Sequence, residues 1–160
     1  MPLLSPGDPF PHLTMTTTDG TTLSLPDDLA GSYAVVLFYR GSWCPYCNAQ
    51  LRAFEHARDA LAGVRVVALS VDDRDTTAAL IDKHRLTFPV GHSADARAIA
   101  ELTGAFVNED PLYLQSTGFV LGPDGHVLVS VYSSGAIGRL VPADVAGLVQ
   151  YMRDHAASSV

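Results

Sequence analysis

The chain has 160 residues, 48% of them hydrophobic, and a formal net charge of -7. That apolar content is enough to bury a sizeable core and excludes a disordered chain, while the acidic balance argues against partners that attract basic surfaces, namely nucleic acid and anionic membranes. No stretch approaches transmembrane length and residues 1–10 lack the charged and apolar regions of a secretory signal, so the expected location is cytoplasmic.

In chain order, residues 1–33 are rich in Pro, Thr, Gly and Asp. They predict an extended arm and a short hairpin over 16–25, turning at Asp19-Gly20. Residues 34–39 form a continuous apolar run that suits a buried, parallel strand. Arg40, Gly41, Ser42 and Trp43 make a loop, and Pro45 is well placed at the first position of a helix. Cys47, Leu51, Phe54 and Leu61 follow at helical spacing, with Gly63 as the expected stop. Residues 64–71 predict a second buried strand and 75–85 a helix. Residues 88–90 predict a short extended piece, and 95–103 a helix ended by Gly104. Residues 119–121 and 126–132 flank Pro123-Asp124-Gly125, a turn signal that makes them an antiparallel hairpin. A helix over 142–155 closes the chain. The order predicts one α/β domain over 1–160, a mixed sheet with helices on both faces and an N-terminal hairpin extension.

The two cysteines, Cys44 and Cys47, are the only ones in the chain. In a reducing compartment such a close pair is more often catalytic or metal-binding than structural. Cys44, at the helix start, lies near unsatisfied N–H groups and the positive end of the helix dipole, which lower a thiol pKa. It is the expected nucleophile. Cys47, one turn inside and facing the core, is placed to resolve a mixed disulfide or a sulfenic acid on Cys44. Arg40 adds positive charge beside Cys44, with a solvated or salt-bridged arginine as the plain alternative. Trp43 either shields the pair and contacts substrate or packs at the loop edge. Ser42 either bonds the sulfur or serves the turn. The six histidines are scattered; His56 and His92 are the candidates for extra ligands if the pair were half of a metal site. Asp72, Asp73 and Asp75 lack the rest of a calcium loop and are expected to solvate a strand end and cap a helix. No metal, prosthetic group or phosphate-binding loop is expected.

The run from Phe38 to Cys47, Phe-Tyr-Arg-Gly-Ser-Trp-Cys-Pro-Tyr-Cys, resembles the peroxiredoxin-like branch of the AhpC/TSA (alkyl hydroperoxide reductase / thiol-specific antioxidant) family. Similar stretches are Gly7-Asp8-Pro9-Phe10, the strand ending Ser70-Val71-Asp72, Leu86-Thr87-Phe88-Pro89 and the Thr117–Gly125 hairpin; together they cover most of the chain. The resemblance implies a thioredoxin fold and an antioxidant thiol enzyme with Cys44 as the attacking cysteine and Cys47 as the resolving one. It implies a peroxide substrate and a reducing dithiol, such as a thioredoxin-type protein or a small thiol. Proteins with this resemblance are often homodimers, though no self-complementary apolar patch is readable here.

The chain departs from the family pattern at three places. Leu37 and Gly41 stand where typical members carry Pro and Thr ahead of the cysteine, and Ser116 stands where they carry Arg. These groups normally orient the peroxide and stabilise the reacting oxygens. Arg40 is a candidate replacement for the lost Arg. The Cys-Pro-Tyr-Cys run is similar to glutaredoxins and the preceding Trp to thioredoxins, so the alternative function is a thiol–disulfide reductase acting on protein or small-molecule disulfides. A non-enzymatic metal-binding or redox-sensing module is the third reading.

Overall fold

The computed structural model describes residues 3–156. A seven-stranded mixed sheet forms its centre, built from β1 (Leu13–Thr17), β2 (Thr22–Leu25), β3 (Ala34–Phe38), β4 (Arg65–Leu69), β5 (Val90–His92), β8 (Thr117–Leu121) and β9 (Val127–Tyr132), in the order β2-β1-β5-β4-β3-β8-β9. β3 pairs parallel with β4 and antiparallel with β8, which places it in the interior of the sheet. All five of its residues are buried, which is why it reads as an unbroken apolar run. The N-terminal hairpin joins the sheet through an antiparallel pairing of β1 with β5.

The side chains of β3 alternate between two cores. Val35, Leu37 and Tyr39 pack on one face with Leu51 and Phe54 of α1 (Pro45–His56), Leu80 of α2 (Arg74–His84) and Val145 and Val149 of α4 (Pro142–Ala156). Ala34, Val36 and Phe38 pack on the other face with Phe10, Phe119 and Ile99 of α3 (Ala96–Thr103). Helices therefore cover both faces, giving the expected α/β thioredoxin arrangement. Leu51 and Phe54 are essentially unexposed. Each contributes roughly 1.5–3 kcal/mol of burial, which fixes α1, and so the first turn carrying the cysteines, against the end of β3.

Several boundaries differ from the sequence-based expectation. α1 ends at His56, with Ala57 as its cap, rather than running to Gly63. Residues 57–63 continue as turns that still bring Leu61 into the core before Gly63, at φ +81°, redirects the chain into β4. The extended piece expected at 88–90 is shifted, with β5 beginning at Val90. A small separate hairpin, β6 (Val107–Glu109) with β7 (Leu112–Leu114), has no counterpart among the predicted elements. Its three-residue strands are too short for alternation to stand out.

Candidate active site

Cys44 is the N-cap of α1. Its backbone is extended and its Sγ accepts the N–H of Cys47 at 3.2 Å, taking up one of the donors that a helix start leaves open. Pro45 at the first helical position has no N–H to satisfy. The loop before Cys44 is pinned from three sides. The Ser42 N–H donates to Asp72 Oδ2 at 2.8 Å, Asn48 Nδ2 donates to the Ser42 carbonyl at 2.9 Å, and the Cys44 N–H donates to the Gly41 carbonyl at 3.1 Å. Ser42 thus serves the turn through its backbone, and Asp72, in the loop after β4, is its anchor. Asp73 caps α2 through its bond from the Thr76 N–H.

Two guanidinium groups converge on the Cys44 sulfur. Arg40 Nη1 stands 3.9 Å away and Arg139 Nη2 3.6 Å away. Arg139 belongs to the segment between β9 and α4. That segment is held against α1 by Gln50 Nε2, which donates to the Leu140 carbonyl at 2.9 Å. The Arg139 guanidinium also donates to Ser116 Oγ at 2.6 Å and to the Ala136 carbonyl at 3.0 Å. At Ser116, where the family pattern has an arginine, an arginine from 23 residues further along therefore occupies the site.

Arg40 is boxed in. Its Nε donates to Gln115 Oε1 at 3.1 Å and its Nη2 to the Tyr113 hydroxyl at 2.9 Å. The rings of Trp43 and Tyr113 lie 4.9 and 5.2 Å from its guanidinium carbon and meet each other edge to face. Such cation–ring contacts hold a guanidinium in place without neutralising it. The box also accounts for Gly41. A Cβ at that position would lie 2.2 Å from Trp43 Nε1, so the indole fills the space that a threonine side chain would need. Leu37 replaces proline within β3, where its backbone takes part in pairing on both sides.

Burial pushes the Cys44 thiol up, but the hydrogen bonds from the Cys47 thiol and backbone, then Arg40 and Arg139, more than offset it and hold Cys44 below the ordinary thiol value. Cys47 goes the other way. Burial, reinforced by its hydrogen bond to Cys44, pushes it up to about 11. Its Sγ accepts the Arg40 backbone N–H at 3.3 Å. The surroundings favour the thiolate form of Cys44 and the protonated form of Cys47; no disulfide joins the two, and neither has exposed surface.

The site thus gathers Cys44, Cys47, Arg40 and Trp43, together with Arg139, Tyr113 and Gln115, which the sequence reading missed. Arg139 is 95 residues from Cys44 and carries no spacing relation to it. The histidines proposed as extra ligands do not join the site. His56 ends α1, three turns away from Cys44, or about 18 Å at the helical rise. His92 ends β5 and bonds Ser93. Among the described residues, no cluster of three or more His, Cys, Asp or Glu side chains is arranged to hold a metal ion.

Comparison with known proteins bears on the lineage. The profile of the AhpC/TSA family matches residues 6–130. The chain belongs to the AhpC/TSA family. A Mycobacterium tuberculosis protein named as a peroxiredoxin is 34% identical over 149 residues, covering 86% of this chain and 90% of that one. A peroxiredoxin from Treponema denticola is 32% identical over 147 residues, covering 87% of this chain and 68% of its own length. Among solved structures, peroxiredoxin 6 of Arenicola marina superposes with a TM-score of 0.80 at 18% identity, covering 94% of this chain and 74% of that one. Peroxidoxin BcpB of M. tuberculosis superposes with a TM-score of 0.76 at 22% identity, covering 89% and 94%. The thioredoxin-type fold expected of an AhpC/TSA member is therefore the fold observed.

Proposed function

We propose that this AhpC/TSA protein reduces peroxides through the Cys44 thiolate and a Cys44–Cys47 disulfide. The observation that carries the reading is the convergence of Arg40, Arg139 and the Cys47 N–H on one buried sulfur. A peroxide has to be attacked by a thiolate while negative charge builds on the departing oxygen, and both arginines stand where that charge develops. In the first step the Cys44 thiolate attacks the terminal oxygen of R–O–OH. The S–O bond forms, the O–O bond breaks, Cys44 becomes a sulfenic acid and R–O⁻ leaves to take up a proton.

Cys47 then attacks the sulfenic sulfur. Its proton leaves with the hydroxyl as water, and the disulfide remains. A thiol kept protonated until this moment suits a resolver, because it does not compete for the peroxide. The Cys44 sulfur already meets the Cys47 N–H at 3.2 Å and hydrogen-bonds the Cys47 thiol, so the two sulfurs are neighbours before the bond closes. An external dithiol, of thioredoxin type or a small thiol, reduces the pair by two successive exchanges. That chemistry fits the cytoplasm, where thiols are kept reduced.

The same pair is capable of exchange with a disulfide. Full burial of both sulfurs favours a two-atom oxidant over a bulky disulfide as the first reactant. The discriminating experiment supplies a dithiol reductant and measures turnover of hydrogen peroxide or ethyl hydroperoxide beside turnover of a small-molecule disulfide. Faster peroxide turnover is the expected result; faster disulfide turnover would favour the reductase.

A further inference from the structure

The first step leaves R–O⁻ in a buried site, and an alkoxide needs a proton as it departs. The side chains around Cys44 differ in what they are able to give. Arg40 and Arg139 stabilise charge but do not give up protons at ordinary pH. The Cys47 proton is committed to the resolving step. Threonine is absent at position 41, and the indole that fills its space holds its N–H proton far more tightly than a phenol does. Ser116 is an alcohol, little more acidic than the leaving group itself. Tyr113 remains. Its hydroxyl oxygen accepts from Arg40 Nη2 at 2.9 Å, which leaves its own proton directed elsewhere. The neighbouring Nη1 of that guanidinium faces the Cys44 sulfur. The Tyr113 hydroxyl and the attacking sulfur therefore stand on two arms of one planar group, itself fixed by Gln115 and Trp43. A peroxide bound along the guanidinium would have its attacked oxygen towards Sγ and its leaving oxygen towards Tyr113.

We propose that Tyr113 is a catalytic proton donor that protonates the leaving oxygen, the role being filled from β7 in a chain without the usual threonine. The step balances: Cys44–S⁻, HO–OR and the Tyr113 hydroxyl give Cys44–S–OH, HOR and the Tyr113 phenolate. Arg40 holds the phenolate until water reprotonates it. The assignment rests on the peroxide-reducing reading.

The test uses Tyr113→Phe, which keeps the ring packed on Trp43 and Arg40 and removes only the hydroxyl. The reaction of its Cys44 is followed with three electrophiles, two oxidants and one alkylating agent. Ethyl hydroperoxide expels an alkoxide that needs a proton. Peracetic acid expels acetate, which does not, and iodoacetamide expels iodide, which does not. The expected result is a loss of about 10²-fold with ethyl hydroperoxide, the low end of what a positioned proton donor supplies. With peracetic acid and iodoacetamide the rates stay within about twofold of the parent, since neither leaving group is basic. Equal losses with all three would make Tyr113 a mere support for Arg40 and overturn the assignment. So would an unchanged ethyl hydroperoxide rate, or a selective loss in Ser116→Ala instead. Failure of the underlying reading is seen separately, in the parent protein: oxidation by ethyl hydroperoxide no faster than that of free cysteine would overturn both.

Discussion

Cys44→Ser is expected to abolish peroxide consumption, and Cys47→Ser to leave the first oxidation intact while stopping turnover. The two effects differ because the two sulfurs sit in different environments on one helical turn. Cys44 caps α1 and is held below the ordinary thiol value, so it supplies the only ready nucleophile. Serine in its place is neither ionised nor comparably nucleophilic, and a complete loss is expected. In Cys47→Ser the Cys44 sulfur keeps the backbone N–H and both arginines, and the serine hydroxyl takes the place of the Cys47 thiol as the side-chain donor. The single oxidation equivalent therefore collects as a sulfenic acid, which a sulfenic-specific label detects, and further peroxide drives it to the sulfinic form. A Cys47→Ser protein that turned over normally with a dithiol would show that the disulfide is not on the path.

Arg139→Ala is expected to have the second-largest effect. Arg139 is the nearer of the two guanidinium groups to the sulfur. Its removal takes away a charge that favours the thiolate and a donor that meets the developing oxygen charge. Losing one such preorganised donor costs about 10²–10³-fold in rate in well-studied sites. Arg40 stays in place, so a loss of about 10²-fold in the peroxide rate is expected. The pH dependence carries the sign. The Cys47 hydrogen bonds and Arg40 do most to hold Cys44 below the ordinary thiol value and Arg139 adds to them, so its loss moves the rising limb of the rate profile to higher pH. Raising the pH restores the thiolate but not the lost donor, and the variant recovers only part of the parent rate. Arg139→Lys retains charge without the two-pronged geometry and falls between the two. A pH–rate profile of iodoacetamide alkylation beside that of peroxide oxidation separates the contributions.

The strand–loop–helix unit around Cys44 is legible in the sequence because its signals are local. An apolar run marks β3, Pro45 marks the helix start, and the spacing of Cys47, Leu51 and Phe54 marks the buried face of α1. The late hairpin is legible for the same reason, through Pro123-Asp124-Gly125. The groups that tune the sulfur are not local. Arg139 arrives from a polar segment after β9, and Tyr113 and Gln115 from a short hairpin with no periodicity to betray it. Ser116 and Gly41 stand out in the sequence as departures from the family pattern. Their meaning depends on what fills the space they leave: the Arg139 guanidinium at Ser116 and the Trp43 indole over Gly41. Arg40, considered as a substitute for the missing arginine, turns out to share the sulfur with Arg139. α1 ends earlier than the spacing predicts, because Leu61 keeps helical spacing although residues 57–63 are turns.

The most direct test of the account is a single-turnover oxidation of the reduced protein by a stoichiometric amount of hydrogen peroxide. Trp43 is the only tryptophan and adjoins Cys44 in sequence, so its fluorescence reports the reaction without a label. A rate at least about 10²-fold above that of free cysteine at the same pH, ending in one Cys44–Cys47 disulfide by mass spectrometry, is the predicted result. A rate no faster than that of free cysteine would contradict it.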